Sequence, residues 1–314
     1  MNQASKDLHK KLGDTNFQAG KVGDDGKRRS LWSDAFIRFK QNKAAVVSCL
    51  AISLIVLFAI FGGFFAAHNN ENIDWSLLGQ IEQKGGPSIE NGHYFGVDEF
   101  GRDLYARLVQ ATRISLLVAL VGTVISSIIG AFLGAVAGLF GGRLDNWIMR
   151  TAEMVISIPY IIFFVVWLAI FGQSTLNVLL VISFINWSSM AILVRGQILA
   201  LKHKEYVDAA RLFGQSRLRI IGRHLLPNML GIIVISVSLS IPNIIMTESI
   251  VSFLGVGVQE PDTSWGTLIS EGAARMQYGA IWQLAFPAMF FVIAQVSFYY
   301  IGDGLRDALD PKDR

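Results

Sequence analysis

Residues 114–140 read ISLLVALVGTVISSIIGAFLGAVAGLF, with no charged side chain in 27 positions. A helix crossing the hydrocarbon core of a bilayer needs about 20 mostly apolar residues, because the core is roughly 30 Å thick and each residue rises about 1.5 Å. This stretch meets that length and predicts a transmembrane helix. Within it Gly130, Gly134 and Gly138, with Gly142 just beyond, repeat every four residues along one helical face. Such a face lets a second helix approach closely.

Apolar runs at roughly 44–67, 149–171, 176–199, 229–251 and 281–303 flank it and bring the expected spans to six. Composition agrees, since 52% of the 314 residues are hydrophobic and only 16% charged, where soluble domains carry about a quarter charged. The expected fold is all-α, a polytopic membrane domain of six transmembrane helices over 44–303. Residues 1–30 are polar, with clusters such as Gly23-Asp24-Asp25-Gly26-Lys27-Arg28-Arg29, and are expected as a disordered cytoplasmic tail. Over 31–43, Leu31, Trp32, Ala35, Phe36 and Phe39 share one face while Arg38, Lys40 and Lys43 lie elsewhere. That pattern predicts a helix lying in the membrane interface. Residues 304–314 are expected as a C-terminal cytoplasmic tail.

The polar stretch ahead of the first apolar run makes that run an uncleaved anchor rather than a signal peptide. Six spans put both termini on one side. Of the 27 Lys and Arg, 22 then fall on the side of the N terminus and 5 on the other, which predicts that both termini are cytoplasmic. The net charge of +3 is spread over loops between apolar runs, a pattern of membrane orientation rather than nucleic-acid binding. The single cysteine, Cys49, lies in the first apolar run, so it forms no intrachain disulfide and reads as a small packing residue. Neither a G-x-x-x-x-G-K-[ST] phosphate loop nor an H-E-x-x-H zinc motif occurs. The chain is therefore expected to carry no cofactor, no metal and no catalytic residues of its own.

The inner loop at 200–228 contains Lys204-Glu205-Tyr206-Val207-Asp208-Ala209-Ala210-Arg211-Leu212-Phe213-Gly214 and, after a basic stretch, Leu226-Pro227-Asn228. Ala209 and Ala210 are small enough for a short helix to seat in a partner's cleft, Gly214 allows a tight reversal, and Pro227 suits the first turn of a restarting helix. This segment resembles the cytoplasmic coupling loop of binding-protein-dependent ABC importer permeases, whose pattern is Glu-Ala-Ala, three residues, Gly, nine residues, then Ile-x-Leu-Pro. Asp208-Ala209-Ala210, Gly214 and Leu226-Pro227 fall at those spacings, with Asp208 in place of Glu and His224 in place of Ile. By that resemblance Glu205, Tyr206, Asp208, Ala209, Ala210, Gly214, Leu226 and Pro227 form an ATPase-coupling loop.

Other segments are similar to the dipeptide, oligopeptide and nickel permease family. His93-Tyr94-Phe95-Gly96-Val97-Asp98-Glu99-Phe100-Gly101-Arg102-Asp103-Leu104 resembles its Gly-Thr-Asp-x-x-Gly-Arg-Asp segment, with Val97 for Thr. The stretch from Ser252-Phe253-Leu254-Gly255 to Ser264-Trp265-Gly266 is similar to its outer loop, and Gly302 to Pro311 to its ending. Ser30-Leu31-Trp32, His93-Tyr94-Phe95-Gly96 and Asp310-Pro311-Lys312-Asp313-Arg314 narrow the resemblance to the C-type permeases of oligopeptide importers. The resemblance implies a type I ABC importer permease in the inner membrane, forming half of a translocation path with a second homologous permease. It also implies two cytoplasmic ATPase subunits that bind ATP and Mg, a periplasmic peptide-binding protein, and oligopeptides as cargo. Dipeptides or nickel are the alternative cargo in that family.

Several polar residues keep two expectations. Glu153 lies at i+3 from Arg150 and predicts a local ion pair. Glu248, near the outer end of the fifth span, either faces the translocation path or caps a helix contact. Asp98, Arg102 and Asp103 form either an outer gate or a self-satisfied polar cluster. Gly302-Asp303-Gly304 resembles the Gly-x-Gly-Asp segment of intramembrane aspartyl proteases, but no other expected span holds the second aspartate. Broken paired helices, a mark of secondary transporters, are not evident in the sequence.

Overall fold

A computed structural model of the chain describes residues 31–309. Residues 1–30 and 310–314, with the expected N-terminal tail and the Asp310 to Arg314 motif, lie outside the described residues. Helix α1, Leu31–Gln41, leads into α2, Lys43–Phe65, and Asn42 caps α2 by accepting from the Ala45 N–H at 3.1 Å. An outer segment with one short helix, α3 (Ile81–Lys84), precedes α4, Leu104–Phe140. The third apolar run forms two helices, α5 (Gly142–Ser157) and α6 (Tyr160–Phe171), and α7 spans Thr175–Leu201. Helix α8, Glu205–Leu212, is followed by a helical run through Arg217–Ile220, a π-helical turn at Ile221–Leu225 and α9, Leu226–Phe253. Helices α10, Trp265–Arg275, and α11, Ile281–Leu309, close the fold.

Among the described residues, five helices (α2, α4, α7, the run 217–253, and α11) are long and apolar enough to cross a membrane, and the bent pair α5–α6 passes the same test when its two halves are taken together, which brings the candidate spans to six. That sixth span corrects the expectation of one straight helix over 149–171. Pro159 has no N–H and holds Ile158 in an extended conformation, so the helix stops and the chain turns by 94°. A broken helix, not evident in the sequence, is therefore present. Helix α4 begins ten residues before the expected span, because Asp103 caps it within the outer segment. The expected C-terminal tail is likewise helical as far as Leu309.

Three apolar clusters form the core among the described residues, the smallest of them joining Ala137, Met149 and Ala152 to Trp187 and Ala191. The largest joins α2, α4, α6, α7, α9, α10 and α11 around Leu108, Phe164, Ile182, Ile245 and Trp265. The second joins the inner ends of α4 and α7 to the inner loop through Leu139, Ile198, Val207, Ala210, Ile220 and Leu225. Gly130, Gly134 and Gly138 lie where α4 crosses α7. A Cβ on Gly130 would meet the Trp187 carbonyl, one on Gly134 would lie 2.9 Å from the Ala191 Cα, and one on Gly138 2.7 Å from the Ile198 Cβ. Gly142 leaves this row: it lies past the end of α4 with φ +61°, and a Cβ there would meet nothing within 4 Å. Gly302 and Gly304 serve packing too, against Leu239 and against Ala45 and Phe39.

Candidate functional site

The inner loop is built from a helix, a reversal and a tie. In α8 the carboxylates of Glu205 and Asp208 lie in the first turn, where they complement the helix dipole. Asp208 also accepts from Arg211 at 3.0 Å on the exposed face. Val207 and Ala210 turn inward and are buried with Ile220 and Leu225. Ala210 is therefore not offered to a partner as the sequence suggested; of the two alanines only Ala209 faces out. Gly214 takes the left-handed conformation, φ +71°, and the Gln215 N–H bonds back to the Ala210 carbonyl at 3.1 Å, the closure that ends many helices. The reversal leaves Leu212 and Phe213 89% and 86% exposed, two large apolar side chains at the tip of a polar loop.

His224 has a structural use in the loop: its Nε2 pairs with the Gln215 Oε1 at 2.9 Å and ties the reversal to the following helix. Pro227 lies in the first turn of α9, where the α-helical pattern resumes after the π-helical turn. The π-helical turn at 221–225 lets the helix pass through Leu226 and Pro227 without a break, by loosening the turn where the proline ring would clash with a preceding carbonyl. Tyr206 is half-exposed beside Ala209, and Arg217 stacks over the Phe140 ring at the inner end of α4.

The outer polar residues form a connected cluster. Asp98, 3% exposed, accepts from the backbone N–H groups of Phe100 and Arg102 and from the side chains of Arg102 and Arg107, the latter two both at 2.7 Å. Arg107 continues to Glu271 at 2.6 Å and Arg102 to Glu260 at 2.6 Å, which ties the outer segment to the loop before α10 and to α10 itself. Asp103 is fully buried, caps α4 through the Ala106 N–H, and pairs with His93 Nδ1 at 2.8 Å. Arg107 and Glu271 were not singled out in the sequence, and His93 entered there only as part of a family motif. Arg107 lies one helical turn after Asp103 on the capped end of α4, the one signal that could have found it.

Glu248 is 1% exposed and sealed inside the chain's own core. Its carboxyl accepts from Ser252 at 2.7 Å and from Ser115 and Ser249 at 3.3 Å. Ser115 in turn accepts the Trp265 N–H at 3.1 Å, so the group joins α4, α9 and the start of α10. Glu153 pairs with Arg150 at 3.1 Å on the surface. A second pair was not foreseen: Asp145 and Arg195 form a two-bond bridge of 2.5 and 2.7 Å between α5 and α7. Among the described residues no group of three or more His, Cys, Asp or Glu side chains could hold a metal ion.

Residues 130–314 match the family model of binding-protein-dependent transport system inner membrane components, a region that takes in the inner loop and its tip. The chain belongs to that family. Residues 30–79 match a second model, the N-terminal transmembrane domain of oligopeptide transport permease C. The oligopeptide transport system permease protein OppC of Escherichia coli K12 is 46% identical over 91% of this chain and 93% of its own length. OppC of Haemophilus influenzae is 42% identical over 91% and 90%. The dipeptide transport system permease protein DppC of Bacillus subtilis is 38% identical over 95% and 92%. Among solved structures, an inward-facing MetNI methionine ABC transporter chain superposes with a TM-score of 0.51 at 17% identity, covering 65% of this permease and 96% of that chain, a likeness of fold. The chain is thus a multi-pass, all-α permease subunit of an ABC importer and carries no ATPase of its own.

Proposed function

We propose that this permease is one of the two membrane halves of an ATP-driven oligopeptide importer, seated in the inner membrane with both termini in the cytoplasm. Its partners are a second homologous permease, two cytoplasmic ATPase subunits that hold ATP and Mg, and a periplasmic peptide-binding protein. The observation that carries the coupling role is the tip of the inner loop. Leu212 and Phe213 stand exposed on a helix braced from behind by Val207, Ala210 and the His224–Gln215 tie. An exposed apolar pair on a rigid support is the kind of anchor that a partner's cleft covers.

ATP binding closes the two ATPases, and the braced loop passes that movement to α4, α7 and α9 as one body. The two permeases then exchange an inward-open for an outward-open arrangement. Reversing a 99:1 population takes about 5.5 kcal/mol of differential binding, which nucleotide supplies to the partners. Oligopeptide cargo is supported by the names of the OppC relatives and by the match at residues 30–79. The outer cluster around Asp98, Arg102 and Asp103 holds the outer segment rigid as a platform for the binding protein. The test is ATP-dependent uptake by the co-purified complex in proteoliposomes, comparing tri- to pentapeptides with dipeptides and nickel ions. Import of the longer peptides is expected; import of only dipeptides or nickel would reassign the cargo.

A further inference from the structure

Pro242 and Pro287 each remove one backbone hydrogen bond inside a continuous helix, whereas between α5 and α6 a candidate span stops and restarts and leaves a whole helix end open. A helix leaves its last four carbonyls without intrahelical partners, here those of residues 154–157. At three other span ends a loop N–H folds back on such groups: Gly141 on Ala137, Gly172 on Leu168 and Lys202 on Ile198. After Ser157 the chain is extended at Ile158, and Pro159 has no N–H to give. Among the described residues no N–H or hydroxyl outside the helix reaches these carbonyls, and no side chain caps the start of α6. Met154, Ile156, Ser157, Ile158 and Pro159 are all exposed.

The depth of the break follows from its neighbours. Met149 and Ala152, before it, are buried with Trp187 and Ala191 of α7. Phe163, one turn after it, stacks on Phe184 at 5.5 Å. Phe184 is nine residues from the start of α7, about 14 Å along the helix axis, which is close to the middle of a hydrocarbon core roughly 30 Å thick. Lipid at that depth offers no hydrogen bond, and irregular backbone persists there only where it lines protein or a water-filled cavity. Discontinuous spans with free helix ends near the midplane are sites where transported solutes are held.

We propose that the carbonyls of residues 154–157 face the water-filled path and accept hydrogen bonds from the main-chain N–H groups and N-terminal ammonium of a peptide in transit. This rests on the peptide-import reading above. Main-chain acceptors suit a cargo whose side chains vary, because every peptide presents the same N–H groups whatever its sequence. The carbonyl end of α5 also carries the negative end of the helix dipole, which favours the cationic amine.

The test uses the complete transporter in vesicles, with Cys49→Ala as the parent and Ser157→Cys added. Val166→Cys, on an exposed and fully hydrogen-bonded stretch of α6 two turns past the break, is the control. A charged methanethiosulfonate should label the Ser157→Cys thiol at least about tenfold faster than the control, and a saturating tripeptide should slow it. The same tripeptide with N-methylated peptide bonds should protect with about tenfold weaker apparent affinity, since it has lost its donors. Labelling no faster than the control would mean that protein or lipid covers the break, and equal protection by the N-methylated peptide would mean that the carbonyls are not its contacts. Either result overturns the proposal while tripeptide import by the parent vesicles keeps the importer reading. A parent that imports no peptide overturns the cargo and the proposal together.

Discussion

The crossing of α4 and α7 rests on the absence of a side chain at Gly134. A Cβ there would lie 2.9 Å from the Ala191 Cα and 3.0 Å from its carbonyl carbon, both backbone atoms, and would press closer still on the carbonyl oxygen. Ordinary contact begins at 3.4 Å, so Gly134→Ala forces the two backbones apart by at least about half an ångström. Overpacking of this kind costs about 1–3 kcal/mol. With roughly 2–4 °C of melting temperature per kcal/mol, the loss is about 2–12 °C. Gly196→Ala is the matched control: it lies on α7, the helix that Gly134 meets, an added Cβ there meets nothing within 4 Å, and the change should be neutral or slightly stabilising because alanine favours helix. Thermal unfolding of the purified complex, followed by size-exclusion recovery after heating, reads the difference. Gly134→Ala as stable as Gly196→Ala would mean that α4 and α7 do not meet along this glycine row.

Two further outcomes follow from the ion pairs. Arg195→Ala strands Asp145, whose side chain is 12% exposed, and should cost about 1–3 kcal/mol once the partial exposure of Arg195 is allowed for; the double change with Asp145→Asn should recover part of that loss in a thermal double-mutant cycle. In the outer segment the Ser76 hydroxyl, hydrogen-bonded at 2.6 Å, holds the Asp74 carboxyl below its ordinary value of 3.8. A carboxylate whose folded value is depressed gives stability that is present above 3.8 and lost as pH falls through the lower folded value. Protection of residues 68–103 from protease should therefore hold from neutral pH down to about 3.8 and weaken progressively as pH falls from there through the lower folded value. Asp74→Asn should abolish that acid dependence.

The number and place of the spans were legible because length and apolarity are local properties, and so was the glycine row of α4, whose four-residue period maps onto one helical face. The inner loop was legible as a spacing, but its orientation was not. Which of Ala209 and Ala210 faces the core depends on Ile220 and Leu225, which the chain brings back only after the reversal. The break at Ile158–Pro159 was masked by the apolar residues on both sides of it, although the proline itself was in view. Arg107 with Glu271 and Asp145 with Arg195 join positions 164 and 50 residues apart, a distance at which no periodicity reports a contact. Glu248 keeps two readings in the sequence, the path or a helix contact; Ser249 and Ser252 are its neighbours in the chain, and only the fold brings Ser115 to it.

The coupling of this permease to its ATPases is tested most directly at the tip of the inner loop. Leu212 and Phe213 are exposed in the chain, so Leu212→Ala with Phe213→Ala should leave the thermal stability of the permease itself unchanged within about 0.5 kcal/mol. The quantity to measure is ATP-dependent tripeptide uptake by the reconstituted variant complex, together with the ATPase retained on purification. The account predicts that retained ATPase and uptake both fall by about tenfold or more, as expected when an apolar anchor pair worth about 2 kcal/mol is removed. Full retention of ATPase with undiminished uptake would contradict it.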